Sequence, residues 1–114
     1  MSRVAWIAVA AIVAVAPAPA SAGAGSFTLV NGTGVGIKGV EIRRFGTPDW
    51  KPIAAAPAPG ARSPVNFSDP DCAFDIRANL DGGATAVWSG VNLCEAKSVT
   101  LSRNAAGAVW VDYD

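Results

Sequence analysis

The sequence predicts an all-β fold, an antiparallel, immunoglobulin-like β-sandwich of about six to seven strands with one disulfide. Short runs alternate apolar and polar residues, which is the pattern of strands that bury one face. Clusters of Gly, Pro, Asn and Asp separate these runs, many of them roughly ten residues apart, as in sandwiches. No stretch keeps a helical period in its apolar residues. A small closed barrel is the alternative architecture.

The first 22 residues have the pattern of a secretory signal peptide. Arg3 precedes an apolar run over 4–16, and Ala20-Ser21-Ala22 provides the small residues of a cleavage site. The run is shorter than the ~20 residues that span a bilayer. We therefore expect Sec-type export, cleavage after Ala22, a single domain over residues 23–114, and no membrane span after cleavage. The location is then periplasmic or secreted.

The predicted strands begin with Phe27–Val30, followed by a turn at Asn31-Gly32-Thr33-Gly34. The second strand runs over Ile37–Phe45, with Val40 and Ile42 on one face. Phe45 is out of phase with that face. A bulge or a buried second face would explain its position.

The clearest predicted strand is Cys72–Leu80, because its alternate residues are apolar throughout. The Asp81-Gly82-Gly83 turn should return Ala84–Leu93 beside it as a hairpin. In this second strand Val91 and Leu93 do not share a face with Cys94, so either a bulge near Gly90 or burial of both faces is needed. The two last predicted strands are 98–102 and 108–113.

Cys72 and Cys94 are the two cysteines of the chain. In an exported protein they should be oxidised, and a single pairing is available to them. The predicted hairpin places them near its open end, so the bridge would fasten that end. A thiol pair for redox chemistry would normally be C-x-x-C, and zinc would need two further ligands.

The segment Gly46–Arg62 has no strand pattern and contains the run Ala54-Ala55-Ala56-Pro57-Ala58-Pro59-Gly60. Proline lacks the N–H that a strand ladder uses. We expect one long irregular loop here, and its few anchoring side chains favour mobility over a specific function.

Composition argues against several functions. Removal of Arg3 with the leader leaves eight basic and nine acidic side chains, a formal net charge of −1, which is unsuited to nucleic acid. The chain has no histidine and no G-x-S-x-G or S-x-x-K motif. We expect no catalytic residues, no cofactor and no enzymatic activity.

Two binding hypotheses remain from the residue types. Asp69, Asp71 and Asp75 are weak candidates for calcium ligands, although calcium requires six to eight oxygens. The tryptophans that follow the leader could stack on sugar rings or anchor a protein partner; they are Trp50, Trp88 and Trp110. The alternative is that these indoles fill the core.

The sequence matches the N-glycosylation pattern at Asn31-Gly32-Thr33 and at Asn66-Phe67-Ser68. The Ala-, Gly- and Pro-rich composition is more typical of a GC-rich bacterium than of a eukaryote. We therefore interpret both matches as coincidence.

Three motifs, taken together, resemble a family of small exported bacterial proteins of unknown function. They are the N-G-T-G turn at 31–34, C-A-F-D-I-R at 72–77 and W-S-G-V-N-L-C at 88–94. The resemblance covers most of residues 26–102 and implies a structural signature with a cysteine in each of two paired strands. It implies no active site. Some members are named argininosuccinate lyase, a large helical oligomer that this chain's length and β pattern contradict.

These observations favour a non-enzymatic exported module that binds a protein or is associated with the cell envelope. Strand addition at an open edge, or contact through Gly46–Arg62, would bind an unknown protein. A glycan-binding module that uses the tryptophans and a structural calcium-binding envelope domain are the alternatives. The sequence leaves the oligomeric state open.

Overall fold

The structure is a computed structural model that describes residues 23–114, so the predicted signal peptide and its cleavage site lie outside the described residues. Eight strands form two four-stranded sheets that pack as a sandwich, and the predicted fold class is confirmed. Residues 23–114 contain no helix long and apolar enough to cross a membrane. The strands are β1 (Phe27–Gly32), β2 (Ile37–Arg44), β3 (Lys51–Ile53), β4 (Arg62–Val65), β5 (Ala73–Leu80), β6 (Thr85–Asn92), β7 (Ser98–Arg103) and β8 (Val109–Tyr113).

The first sheet has the strand order β4-β1-β7-β8, and the second sheet has the order β3-β2-β5-β6. One pair differs from the antiparallel expectation, because β1 and β7 run parallel with Leu29 beside Val99. The eight strands are one more than the upper estimate of seven. The short strands β3 and β4 lie where the sequence shows proline instead of alternation.

The core lies between the sheets and is built from alternate residues of the long strands. Leu29, Val99 and Leu101 from the first sheet are fully buried, and Ile76 and Trp88 from the second sheet lie opposite them in the same core cluster. This burial confirms the alternation read in the sequence.

Of the two alternatives for the second strand of the β5–β6 hairpin, a bulge near Gly90 and burial of both faces, the structure shows the bulge. Phe74 pairs with Val91 and Ile76 pairs with Trp88, so Ser89 and Gly90 together lie opposite Asp75. Gly90 has a positive φ of 68°, which glycine adopts without strain. The extra residue changes the phase of the strand, and Trp88 and Val91 therefore both face the core.

The disulfide Cys72–Cys94 lies at the open end of this hairpin, as predicted, with 5.0 Å between the Cα atoms. Leu93 N donates a hydrogen bond to Cys72 O (2.9 Å) immediately beside the bridge. The disulfide thus joins the residues that flank two neighbouring strands of one sheet, Cys72 before β5 and Cys94 after β6, whereas the bridge of an antibody domain joins two sheets.

Phe45 lies beyond the end of β2 and is 60% exposed. Neither explanation offered for its phase is correct: the strand ends at Arg44, so the side chain of Phe45 belongs to a turn and not to either face.

The prediction of one irregular loop over Gly46–Arg62 is wrong in its middle. Lys51–Ile53 forms β3, with Ile53 paired to Val40, and Ala55 and Pro57 are buried. Gly60 N donates to Asn31 O and Asn31 N donates to Ala61 O, so the Ala/Pro run is fixed along the end of β1. Proline hid this strand from pattern reading, because short edge strands tolerate it.

Candidate functional site

The three tryptophans do not form one binding surface. Trp88 is buried in the core and its Nε1 donates to Ser102 O at 3.0 Å, so its assignment as a ligand contact is wrong. A large indole on a core-facing strand position satisfies its one donor internally. Trp50 is half-buried in the second sheet's surface, and Trp110 on β8 is 46% exposed.

Trp50 packs against two arginines. The guanidinium carbon of Arg43 lies 4.3 Å from the ring centre and that of Arg77 lies 4.2 Å away. Guanidinium groups at this distance are attracted to the indole π-system. Arg77 also pairs with Glu41 across strands, with 2.9 Å between Nη2 and Oε1. Trp50 therefore packs on a cross-strand ion-pair array of the second sheet.

The candidate calcium ligands are not assembled into a site. Asp69 and Asp71 both face Arg44, whose Nε lies 3.2 Å from each carboxylate. Asp75 instead pairs with Arg43 on the second sheet. Among residues 23–114 no group of three acidic, histidine or cysteine side chains is placed to hold a metal. The three carboxylates that the sequence offered as weak calcium candidates are therefore paired with two different arginines and are not grouped as one set of ligands.

Asp75 has a structural role that the motif alone did not reveal. Its side chain is buried, accepts from Arg43 Nε at 2.8 Å and accepts from Gly90 N at 3.1 Å. Burial disfavours its charged form, but the hydrogen bonds from Arg43 and Gly90 outweigh burial and hold the pKa of Asp75 below its ordinary value. Asp75 therefore fixes the bulge of β6 and couples β2 to β5.

Asn31 is the second buried polar residue that sequence reasoning missed. Its Nδ2 donates to Val35 O (2.6 Å) and Pro57 O (3.0 Å), and its Oδ1 accepts from Thr33 N (3.0 Å). The buried Asn31 amide donates both of its hydrogens to backbone carbonyls, so Asn31 cannot be glycosylated in the folded protein. Asn66, in the other matching tripeptide, is exposed. The predicted turn over 31–34 starts two residues too early, because Asn31 and Gly32 belong to β1. The N-G-T-G pattern also did not indicate that Asn31 anchors the Ala/Pro run.

The residues of all three motifs thus serve the fold. The edge strands of the two sheets, in contrast, have backbone groups that no neighbouring strand pairs with. Of the four edge strands, β3 has three residues with Pro52, and β4 has four residues with Pro64. Proline offers no N–H to a further strand, and short edges resist pairing. The third edge, β6, is bent by its bulge at Gly90.

The fourth edge, β8, has none of these protections. Its five residues contain no proline and no bulge. Val109, Trp110 and Tyr113 are exposed by 37%, 46% and 50%. β8 therefore presents an apolar edge of the kind that other proteins cover or blunt.

The hydrogen-bond phase of β8 determines which backbone groups are free. Asp114 and Ser98 exchange both of their backbone hydrogen bonds, at 3.0 and 3.2 Å. Since bonding alternates along an antiparallel pair, Asp112 and Trp110 also bond to β7. The N–H and C=O groups of Val109, Val111 and Tyr113 consequently point away from β7.

β6 and β8 lie next to each other on one side of the sandwich and leave a narrow opening, which we call the β6–β8 seam. A groove of about 250 Å³ in this seam is lined by Trp88, Ser89, Val109, Trp110, Val111 and Tyr113. Beyond it, a groove of about 330 Å³ is lined by Asn92, Glu95, Ala96, Tyr113 and Asp114. The Tyr113 hydroxyl between them accepts from Asn92 N at 3.0 Å and ties β8 to β6 at this end.

Comparison with known proteins adds support for the fold. No protein-family model and no curated protein matches the chain. A protein from Eubacterium rectale, solved by NMR, has a similar structure, with a TM-score of 0.56 and 13% sequence identity. The match covers 86% of this chain and 94% of that protein. At this identity the likeness concerns the architecture alone.

Proposed function

We propose that this chain is an exported, non-enzymatic module that binds another protein by strand addition to β8. The observation that carries the proposal is the edge of β8, where Val109, Val111 and Tyr113 present unpaired backbone groups beside exposed apolar side chains. An added strand would satisfy these groups, and alternate side chains of that strand would reach the seam.

The other surfaces support this choice. Trp88 is buried and Trp50 packs against two arginines on the second sheet, so Trp110 on the first sheet has neither of them beside it as a second indole. The carboxylates of Asp69 and Asp75 are held by arginines and hydrogen bonds. A protein partner therefore fits the exposed groups better than a glycan or calcium does.

Export is supported by the predicted leader and by the disulfide, which is stable in oxidising compartments. Membership of the family of small exported bacterial proteins is part of the same proposal. It is supported by the fact that Cys72, Asp75, Gly90 and Cys94 in the motifs act together in one hairpin.

Two substitutions of the same type test the role of β8. Val109 on β8 and Val87 on β6 are each 37% exposed. We expect Val109→Lys to lower capture of envelope proteins by the immobilised, oxidised protein at least roughly ten-fold, because a lysine directed inward at an edge prevents further pairing. Val87→Lys, which adds the same charge on the outer face of β6, should retain the wild-type level.

The measurement is quantitative mass spectrometry of the retained proteins, with equal melting temperatures of both variants as the folding control. Equal losses in the two variants, or unchanged capture by Val109→Lys, would contradict strand addition at β8. Capture that is lost selectively from Val109→Lys supports it.

A further inference from the structure

Charge is distributed unequally along β8. Arg103 on β7 lies directly beside Val109, at the beginning of β8. At the other end, Asp112, Asp114 and Glu95 lie near Tyr113, with Lys97 as the nearby cation. None of these three carboxylates, nor Arg103, is part of an ion pair between residues 23–114. The edge therefore has a basic beginning and an acidic end.

This polarity restricts the strand that can be added. A strand with the same charge order must run antiparallel to β8, because parallel pairing would place acidic ends together and basic ends together. The chain itself supplies a strand with this order and the required exposed backbone groups. A second copy is thus complementary to the edge in charge, in hydrogen bonding and in apolar character.

We propose that the partner at β8 is a second copy of this chain, paired antiparallel about a twofold axis at Val111. In this register Val111 meets its own copy and Val109 meets Tyr113 of the second copy. All free N–H and C=O groups of the three residues then form hydrogen bonds. The interface is the same patch on both subunits, as a twofold dimer requires.

The side chains agree with this register. Trp110 lies opposite Asp112 of the second copy on the outer face, so the exposed indole is covered without two carboxylates meeting directly. Arg103 of each copy faces the acidic end of the other, and symmetry makes this contact twice. The two first sheets become one eight-stranded sheet.

The inference rests on the proposed function, since it names the partner of the same edge. We expect the oxidised wild-type protein to sediment as a dimer and Val109→Lys as a monomer. Arg103→Glu should weaken the dimer at least roughly ten-fold, because the new glutamate of each copy then faces the acidic end of the other copy. Arg62→Glu, the same charge change on β4 at the opposite edge of the first sheet, should leave the dimer unchanged.

Mixing provides a test that a loss of folding cannot imitate. Arg103→Glu makes the beginning of the β8 edge acidic, so that both of its ends are acidic. The double variant Asp112→Lys with Asp114→Lys makes the other end basic, so that basic residues lie at both ends. Each alone should be mainly monomeric, whereas an equimolar mixture should sediment as a heterodimer. Rising salt should weaken the heterodimer, since its partner choice depends on charge.

The outcomes separate this inference from the proposed function. A wild-type protein that stays monomeric at millimolar concentration overturns the self-pairing, and Val109-dependent capture of an envelope protein would still support strand addition. A dimer that is insensitive to Val109→Lys, or that responds equally to Arg62→Glu and Arg103→Glu, also overturns it. A heterodimer that forms in the mixture, while each variant alone stays monomeric, supports the antiparallel pairing of β8 with a second copy.

Discussion

The two outer faces of the sandwich are stabilised in different ways. The second sheet is crossed by a disulfide, by the Arg43–Asp75 and Arg77–Glu41 ion pairs, and by Trp50 packed on both arginines. The first sheet has no ion pair between its strands among residues 23–114, and its last strand has an open edge. The cross-strand side-chain contacts are therefore concentrated in the second sheet, whereas the first sheet ends in an edge strand without them.

Substitution of the core indole should give the largest loss of stability. It tests whether the buried Trp88 contributes more to stability than the exposed Trp110, as their positions indicate. Trp88→Ala should destabilise the protein by about 3–5 kcal/mol, because it leaves a cavity in the core and removes the hydrogen bond from the indole Nε1 to Ser102 O. Trp110→Ala should cost less than about 1 kcal/mol in the monomer. Urea unfolding of both variants measures the difference, and equal midpoints would refute the assignment of Trp88 to the core.

Removal of the disulfide weakens the second sheet directly. Cys72→Ser with Cys94→Ser should cost about 3 kcal/mol, as expected for a closed loop with a sequence separation of 22. The control is the wild-type protein in reductant, which should show the same shift of the urea midpoint. A shift below about 1 kcal/mol would mean that the hairpin is held without the bridge.

The buried amide of Asn31 tests the anchoring of the Ala/Pro run to the first sheet. Asn31→Ala removes the donor to the carbonyl of Pro57 and one of the two side-chain donors to the carbonyl of Val35, and it should cost about 2 kcal/mol. Asn66→Ala, at an exposed position, should stay within about 0.5 kcal/mol of the wild type. Amide hydrogen exchange at Gly60 and Ala61 should accelerate in Asn31→Ala and remain slow in Asn66→Ala.

The two ion pairs of the second sheet should differ in strength because they differ in burial. Asp75→Asn should cost about 2 kcal/mol, since Arg43 and Gly90 N lose a charged acceptor. Glu41→Gln affects a more exposed pair and should cost less than about 1 kcal/mol. Similar losses in both variants would contradict the anchoring role of Asp75.

Acid provides a finer test of the same carboxylate. The pKa of Asp75 is lowered in the folded state, so its contribution to stability is complete above its unfolded pKa of about 3.9 and is lost as the pH falls through the folded value. The fall in stability of the wild type below pH 4 should therefore be smaller in Asp75→Asn. Urea midpoints between pH 2 and pH 6 measure this change, and parallel curves would contradict it.

Pattern reading succeeded where local chemistry dominates. The alternation of Cys72–Leu80 predicted a half-buried strand. The phase change between Leu93 and Cys94 left a bulge near Gly90 and burial of both faces as alternatives, and the structure contains the bulge. It failed for Lys51–Ile53, because proline obscures a short edge strand, and for Trp88, because residue type alone does not distinguish a core indole from a surface one.

The sequence by itself determined the strand periodicity, the turns and the identity of the disulfide, since these depend on neighbouring residues and on a single pair of cysteines. Only the tertiary structure decided that Arg43 would neutralise Asp75, that Asn31 would hold Pro57, and that β8 would be left at an open edge. These features depend on which strands become neighbours in space. That choice is made by packing of the whole core, which no local pattern contains.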